Sequence, residues 1–241
     1  MENIFSVLNK YKPQEKITAL ENFFTESLKF ILSLDKELLN NFVRKICGDK
    51  FKLFKAPFEL DSQTWHGNSI IDLEITDNNR QKIFIEIKVN ARENRYFDDE
   101  EKEDFGQVEK YLKLNKGYVC FIAKDQSDIK IKSHKHKFLG QIEWFEIYKI
   151  IAEFFKKNKN KLDKNNKYFI TNFLEFMTEQ NMKPFDGFNK KDIALAKTDF
   201  MDFYGKLLNF LEEVNKDKRI KKFYTKHNLR AIEKIKYNNN E

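Results

Sequence analysis

The chain has 241 residues, which is enough for one domain with additions or for two small domains. Hydrophobic residues make up 41% and charged residues 34%, which excludes a disordered chain and indicates a strongly ionic surface. The formal charge of +7 is compatible with a polyanionic partner. The two cysteines form no CxxC pair, which argues against zinc. No signal peptide or long apolar run is visible, and we therefore expect a soluble, cytoplasmic protein that makes no membrane contact.

The first long pattern predicts helix. Within residues 17–47, apolar residues recur every three or four positions, as on one face of an α-helix. We predict either one long helix or two packed helices broken near "SLDKE", where Ser33 can cap a second helix. Gly48 can end this segment. The run "KLFKAPFEL" that follows is strand-like, but it contains Pro57, so we predict an edge strand.

A β-hairpin is predicted next. Residues 70–75, "IIDLEI", alternate in character, and we expect Ile71, Leu73 and Ile75 to share one face of a strand. The polar turn sequence "TDNNRQ" leads into residues 82–89, "KIFIEIKV", which also alternate. Two alternating runs around a short polar turn are typical of an antiparallel hairpin.

The elements after the hairpin mix helix and strand. A charged loop is predicted in residues 91–106, a short helix in residues 107–116 and a strand in residues 117–124. This last run, "GYVCFIAK", is continuously apolar, as in a central strand covered on both faces. A short strand running into a helix is predicted in residues 138–155, and residues 165–237 have helical patterns.

This order of elements predicts a mixed α/β fold with a small central mixed sheet flanked by helices. We assign residues 1–150 to this core and residues 151–241 to a helical C-terminal region packed on it. The two densest basic runs, residues 130–137 and 216–227, are either contacts for a phosphate backbone or solvated surfaces.

The hairpin register decides whether its polar residues meet. A three-residue loop, Asn78–Arg80, places Asp72 across from Glu86, with Lys88 on the same face. A two-residue loop would instead place Asp72 opposite Ile85 and mix polar with apolar side chains on both faces. The side-chain pattern therefore favours the three-residue loop.

Asp72, Glu86 and Lys88 then form one polar patch with a chemical consequence. Two neighbouring carboxylates repel each other, and a hard divalent cation such as Mg²⁺ or Mn²⁺ removes that conflict. A lysine beside such an ion can orient a water molecule and stabilise developing negative charge. The structural alternative is a patch of ordinary ion pairs, which stabilise little. Trp65 and His66 precede the predicted hairpin and are interpreted as a packed loop, or else as the rim of a cleft.

An Asp on one strand followed by Glu-X-Lys on the next, here "IIDLEI…IFIEIKV", resembles the core of the PD-(D/E)XK nuclease superfamily. In that family a helix follows, often with Gln and Tyr one turn apart, and then a hydrophobic strand. "FGQVEKYLKLN" supplies Gln107 and Tyr111 on one helix face, and "GYVCFIA" supplies the strand. The resemblance covers about residues 17–150. Ile71 stands where the family has a proline, which loosens the match but removes no metal ligand.

The resemblance implies a restriction-endonuclease-like core that uses Mg²⁺, with Mn²⁺ as a substitute. It implies that Asp72, Glu86 and the backbone carbonyl of Ile87 hold the metal ion. Lys88 would position the attacking water, and Gln107 would support the site.

The helix before the sheet often contributes a glutamate in this family. In "ENFFTESL", Glu26 is the favoured metal-site candidate and Glu21 the weaker one. The resemblance further implies a Mg²⁺-dependent endonuclease that prefers DNA over RNA. By analogy with relatives, it suggests a role in prokaryotic defence and a homodimer that cuts both strands.

Two alternatives remain open at this point. One is a catalytically inactive module on the same fold that binds nucleic acid or protein. The other is an all-helical scaffold on which the hairpin is an appendage.

Overall fold

The computed structural model describes residues 3–10, 18–89, 95–98, 103–124, 129–184 and 200–217. The helices are α1 (Ile4–Lys10), α2 (Thr18–Ser33), α3 (Lys36–Cys47), α4 (Gln107–Leu114), α5 (Trp144–Asn158), α6 (Lys164–Glu179) and α7 (Phe200–Lys216). The strands are β1 (Glu59–His66), β2 (Ser69–Thr76), β3 (Lys82–Ile87), β4 (Arg95–Asp98), β5 (Glu103–Gly106), β6 (Tyr118–Ala123) and β7 (Phe138–Glu143).

The predicted mixed α/β fold with a central mixed sheet is confirmed. The main sheet has five strands in the order β1-β2-β3-β6-β7. Strands β1, β2 and β3 pair antiparallel, whereas β3, β6 and β7 pair parallel. Strands β4 and β5 form a separate antiparallel pair. The all-helical alternative is therefore wrong.

One face of the sheet is covered by α2, α3 and α5, and α6 packs against α2 and α5. Side chains of β2 and β3 such as Leu73, Ile75 and Ile85 share a buried cluster with Phe24 of α2 and Trp144 of α5. Each of these side chains is fully buried, and burial of a large apolar side chain stabilises a fold by roughly 1.5–3 kcal/mol. This cluster holds α2 and α5 against the strands that carry the polar patch.

The other face of the sheet is covered by α4. Val108 and Tyr111 of this helix pack in a second buried cluster with Phe84 of β3 and Phe121 of β6. Strand β6 is buried on both faces, as its continuous apolar run predicts.

Contrary to the predicted alternation, Ile71 does not share a face with Leu73 and Ile75. It packs with Phe84 in the second cluster, whereas Leu73, two residues later, packs in the first. The regular pairing of β1 with β2 is interrupted at this point, where Gln63 lies opposite Asp72 and has a left-handed φ of 52°. The interruption explains why Ile71 departs from the face of Leu73.

Several predicted boundaries also change. The second helix is capped by Asp35, not Ser33, because the Asp35 carboxylate accepts hydrogen bonds from the backbone amides of Glu37 and Leu38, the second and third residues of α3. Gly48, with a left-handed φ of 51°, ends α3 as predicted. The run predicted as an edge strand begins as a 3-10 helix, and the edge strand β1 starts only at Glu59.

The predicted charged loop in residues 91–106 contains the strands β4 and β5 in its described part. The strand predicted at residue 138 and the helix after it are confirmed as β7 and α5. Of the basic run 216–227, only the first two residues lie within the described part of the chain.

The chain divides into two compact units, Met1–Lys183 and Pro184–Glu241. The domain boundary predicted at residue 150 falls inside α5, a helix of the first unit, and α6 belongs to the same unit. The described part of the second unit is the helix α7. Among the described helices, none combines the length and apolar composition needed to cross a membrane.

Candidate active site

The register of the β2–β3 hairpin follows the three-residue loop. Leu73 pairs with Ile85, and the Asp77 amide donates a hydrogen bond of 2.9 Å to the Gln81 carbonyl. Arg80, the last loop residue, adopts the left-handed conformation that closes such a turn. The register on which the polar patch depends is therefore confirmed.

Asp72 occupies the point where regular pairing of β2 with β3 ends. The last backbone pair is Leu73 with Ile85. One residue beyond it, the Asp72 carboxylate accepts a hydrogen bond of 2.9 Å from the backbone amide of Ile87. The side chain thus takes the place of a backbone acceptor, which brings Asp72 to the Glu86–Lys88 segment and satisfies the amide.

Lys88 is the centre of a buried ionic cluster. Its Nζ lies 2.8 Å from Glu86 Oε1 and 3.1 Å from Glu21 Oε2. The backbone of Lys88 is held on two sides: its amide donates to the Ile122 carbonyl of β6, and its carbonyl accepts from the Trp144 indole. The lysine is therefore fixed by both the sheet and α5.

The glutamate that α2 contributes to the cluster is Glu21, and the structure does not bring Glu26, the favoured candidate, to it. Glu21 is buried in the first turn of α2, whereas Glu26 is exposed. Five residues along an α-helix correspond to a rotation of about 140°, so the two side chains point in very different directions. The sequence contained a signal for Glu21, because it precedes Phe24 by three residues and Leu28 by seven and so lies on the buried stripe.

Burial dominates the electrostatics of the cluster. It raises the pKa of Asp72, and burial together with the negative charge of Asp72 raises the pKa of Glu86 well above its usual range. Burial alone would lower the pKa of Lys88, but the charges of Glu86, Glu21 and Asp72 outweigh it and raise this pKa. Lys88 therefore stays an ammonium group near neutral pH and acts as a hydrogen-bond donor, not as a base.

The negative charge of the cluster can exceed its positive charge, which fits a site for a metal ion. With all groups ionised, three carboxylates (Asp72, Glu86 and Glu21) face the single ammonium of Lys88, which leaves two negative charges in excess. Within the described residues, one buried oxygen each of Glu21 and Glu86 has no hydrogen-bond partner of good geometry, although that of Glu86 touches Lys88 in the ion pair. A divalent hard cation would bind such oxygens and balance this charge.

The described part of the chain contains no group of three or more His, Cys, Asp or Glu side chains arranged to hold a metal ion. An ion here would therefore be held by Asp72 and Glu86, with other oxygens completing its coordination, as Mg²⁺ ordinarily accepts. The Ile87 carbonyl as a further ligand stays a prediction.

Gln107 is linked to the Glu86 carboxylate through the Tyr111 hydroxyl. Its amide donates a hydrogen bond of 2.8 Å to the Tyr111 hydroxyl, which lies 2.7 Å from Glu86 Oε2 and 2.6 Å from the Ile70 carbonyl. Burial and the charge of Glu86 raise the pKa of Tyr111, so its hydroxyl stays protonated. The sequence predicts Tyr111 only as a residue on the same helix face as Gln107. In the structure it is Tyr111 that contacts Glu86 directly.

A separate group of polar side chains surrounds the buried Glu74, which lies on the same strand as Asp72. Its carboxylate accepts a hydrogen bond of 2.9 Å from Thr64, is hydrogen-bonded to the His66 ring and forms an ion pair with Lys82. His66 also packs against the Phe84 ring, with ring centroids 4.8 Å apart. His66 and its neighbour Trp65 thus lie in β1 and not in a loop before the first strand.

Comparison with known proteins adds no relative. No family model matches the chain, and neither the curated proteins nor the solved structures contain a significant match.

Proposed function

We propose that the protein is a metal-dependent nuclease that hydrolyses phosphodiester bonds, with DNA favoured over RNA as its substrate. The observation that carries the proposal is the convergence of Asp72, Glu86 and Lys88 where the β2–β3 pairing ends. Two buried carboxylates with raised pKa values beside a fixed ammonium group are costly for a fold and typical of functional sites.

Each residue has a role that follows from its contacts. Asp72 and Glu86 would hold Mg²⁺, or Mn²⁺ in its place, and such an ion polarises a phosphoryl oxygen and lowers the pKa of bound water. Lys88, a permanent donor, orients the attacking water and stabilises charge on the phosphate. Glu21 fixes the ammonium group, and Tyr111 fixes the Glu86 carboxylate.

The test is cleavage of plasmid, single-stranded DNA and RNA by the purified protein, in Mg²⁺ and in EDTA. We expect Mg²⁺-dependent cleavage that falls at least about 100-fold in Asp72→Asn and in Lys88→Ala. Asp72→Asn keeps an oxygen that can accept the Ile87 amide, so the fold should persist. The matched control is Asp61→Asn, an exposed aspartate on the neighbouring strand β1.

Equal cleavage by the wild type and Lys88→Ala would contradict the active-site assignment. DNA binding without cleavage in any metal would instead identify an inactive binding module on the same fold. A homodimer is part of the proposal, and measurement of the mass in solution with and without DNA tests it.

A further inference from the structure

The tip of the β1–β2 hairpin carries an unusual pair of exposed apolar side chains. Trp65 is 73% exposed, whereas the other tryptophan, Trp144, is completely buried. Ile70, 37% exposed, lies directly across from Trp65 in the antiparallel register. Together they form a small apolar surface, which we call the Trp65–Ile70 platform.

The platform lies beside the candidate active site. Ile70 is two residues before Asp72 on β2, a distance of about 7 Å along an extended strand. His66 packs on Phe84, on the α4 face of the sheet, so alternation places Trp65 on the opposite face. That is the face on which α2 supplies Glu21 to the cluster. The platform is therefore next to the carboxylates and on the side from which Glu21 approaches.

The backbone beneath the platform is held in place by α4. The Tyr111 hydroxyl lies 2.6 Å from the Ile70 carbonyl, and Lys110 Nζ donates a hydrogen bond of 2.9 Å to the Asn68 carbonyl in the hairpin turn. A hairpin tip whose backbone is already held in place loses little conformational entropy when a ligand binds to it. The Lys110 ammonium also places a positive charge at the tip, which favours an anionic partner.

We propose that the Trp65–Ile70 platform stacks an unpaired base of a strand whose phosphate lies at the metal site of Asp72 and Glu86, and that the substrate is therefore single-stranded or frayed DNA. An exposed tryptophan stacks on every base, whereas bases inside a duplex are already stacked on each other. The proposal rests on the proposed function, because the phosphate site at Asp72 defines which base reaches Trp65.

The experiment measures binding by fluorescence anisotropy in Ca²⁺, a hard cation that suits the carboxylate site, at times before any cleavage is detected on a gel. The probes are a labelled single-stranded DNA, the same strand with abasic sites, and the matching blunt duplex. We expect Trp65→Ala to weaken binding of the single strand by about 5- to 100-fold, and Trp65→Phe to restore most of the affinity. Binding of the abasic strand and of the duplex should change little.

The matched control is Leu53→Ala. Leu53 is 42% exposed, and its carbonyl accepts from Gln81, at the other end of the β2–β3 hairpin. This variant should bind all three probes as the wild type does. If Trp65→Ala also binds the single strand like the wild type, or if only its self-association changes, the proposal is overturned. Equal weakening on the intact and abasic strands overturns it as well.

Binding and cleavage separate this proposal from the nuclease proposal. Base-dependent binding through Trp65 without cleavage supports the platform and refutes the nuclease. Mg²⁺-dependent cleavage with the same KM and kcat on single strands for the wild type and Trp65→Ala supports the nuclease and overturns the platform.

Discussion

Two buried carboxylate clusters lie along the same strands and differ in how their charge is balanced. Both Glu74 and Glu86 have hydrogen-bond or ion-pair partners on both carboxylate oxygens, but among the described residues the cation Lys82 pairs with Glu74 alone. The Glu86 carboxylate shares the Lys88 ammonium with Glu21 and has the buried, negatively charged Asp72 as a neighbour. Their pKa values move in opposite directions, down for Glu74 and up for Glu86.

This difference separates a structural ion pair from a candidate site. Buried polar groups are normally paired, and each exception in a native fold calls for an explanation such as an ion or a catalytic role. The Glu74 cluster needs nothing more than the protein itself. With all its groups ionised, the Glu86 cluster carries negative charge that the described residues do not balance, so we expect an added cation to stabilise it.

The largest contrast is expected in metal-free stability. Glu74→Gln removes the counter-charge of Lys82 and should lower the free energy of unfolding by about 2–4 kcal/mol. Glu86→Gln removes a carboxylate whose ionisation is disfavoured, while Lys88 keeps Glu21, so its change should stay below about 1 kcal/mol. Urea denaturation in EDTA measures both. Glu59→Gln, in an exposed ion pair, is the control. Equal losses in the two variants would remove the distinction between the clusters.

The second contrast is the response to Mg²⁺. An ion that binds only the folded protein should raise the free energy of unfolding by about 1.4 kcal/mol at ten times its Kd. We expect this gain in the wild type and in Glu74→Gln, but not in Asp72→Asn or Glu86→Gln. Thermal unfolding across a Mg²⁺ titration measures it. A gain that survives both site variants would show that the ion binds elsewhere.

The third contrast appears in acid. Burial alone would raise the pKa of Glu74, but hydrogen bonds from Lys82, His66 and Thr64 outweigh it and hold the pKa below the ordinary value of 4.5. The stability that Glu74 contributes is therefore complete above about pH 4.5 and is lost as the pH falls through the lower folded value. The stability difference between the wild type and Glu74→Gln should shrink over that range in urea denaturation at fixed pH values. A difference that grows as the pH falls would contradict the assignment.

The smallest effect is expected at Gln107. It reaches Glu86 through the Tyr111 hydroxyl, so it is a positioning residue. Gln107→Ala should lower kcat for DNA cleavage by up to about 10-fold with little change in KM, in line with losses of outer hydrogen bonds at metal sites. Steady-state kinetics at saturating Mg²⁺ measure this. Gln107→Glu keeps an acceptor but no amide donor and should not rescue the rate. A loss as large as that of Lys88→Ala would place Gln107 in direct contact with the substrate.

Local rules explain why the hairpin could be predicted. Alternation along β2 and β3, together with a polar turn of the right length, determines which residues face each other. This sufficed to bring Asp72 to Glu86 and Lys88, and the helical spacing of Gln107 and Tyr111 sufficed to place both on one face of α4.

The missed elements have little local signal. Strand β1, "ELDSQTWH", is a largely polar edge strand with an interruption at Gln63, so it lacks the alternation that marks a half-buried strand. The short strands β4 and β5 were missed for the same reason, because they are rich in charged residues and lack clear alternation. The helix cap at Asp35 was missed because Ser33 and Asp35 are both residue types that can cap a helix. The backbone geometry decides which of the two does so.

The sequence by itself determined the fold class, the hairpin register and three residues of the candidate site, because these follow from periodicity and turn length. Only the tertiary structure decided that Glu21 and not Glu26 contacts Lys88, that Tyr111 contacts Glu86, and that Glu74 is neutralised by its neighbours. These outcomes depend on contacts between residues far apart in the chain, and local patterns carry no record of which distant side chain fills a given space.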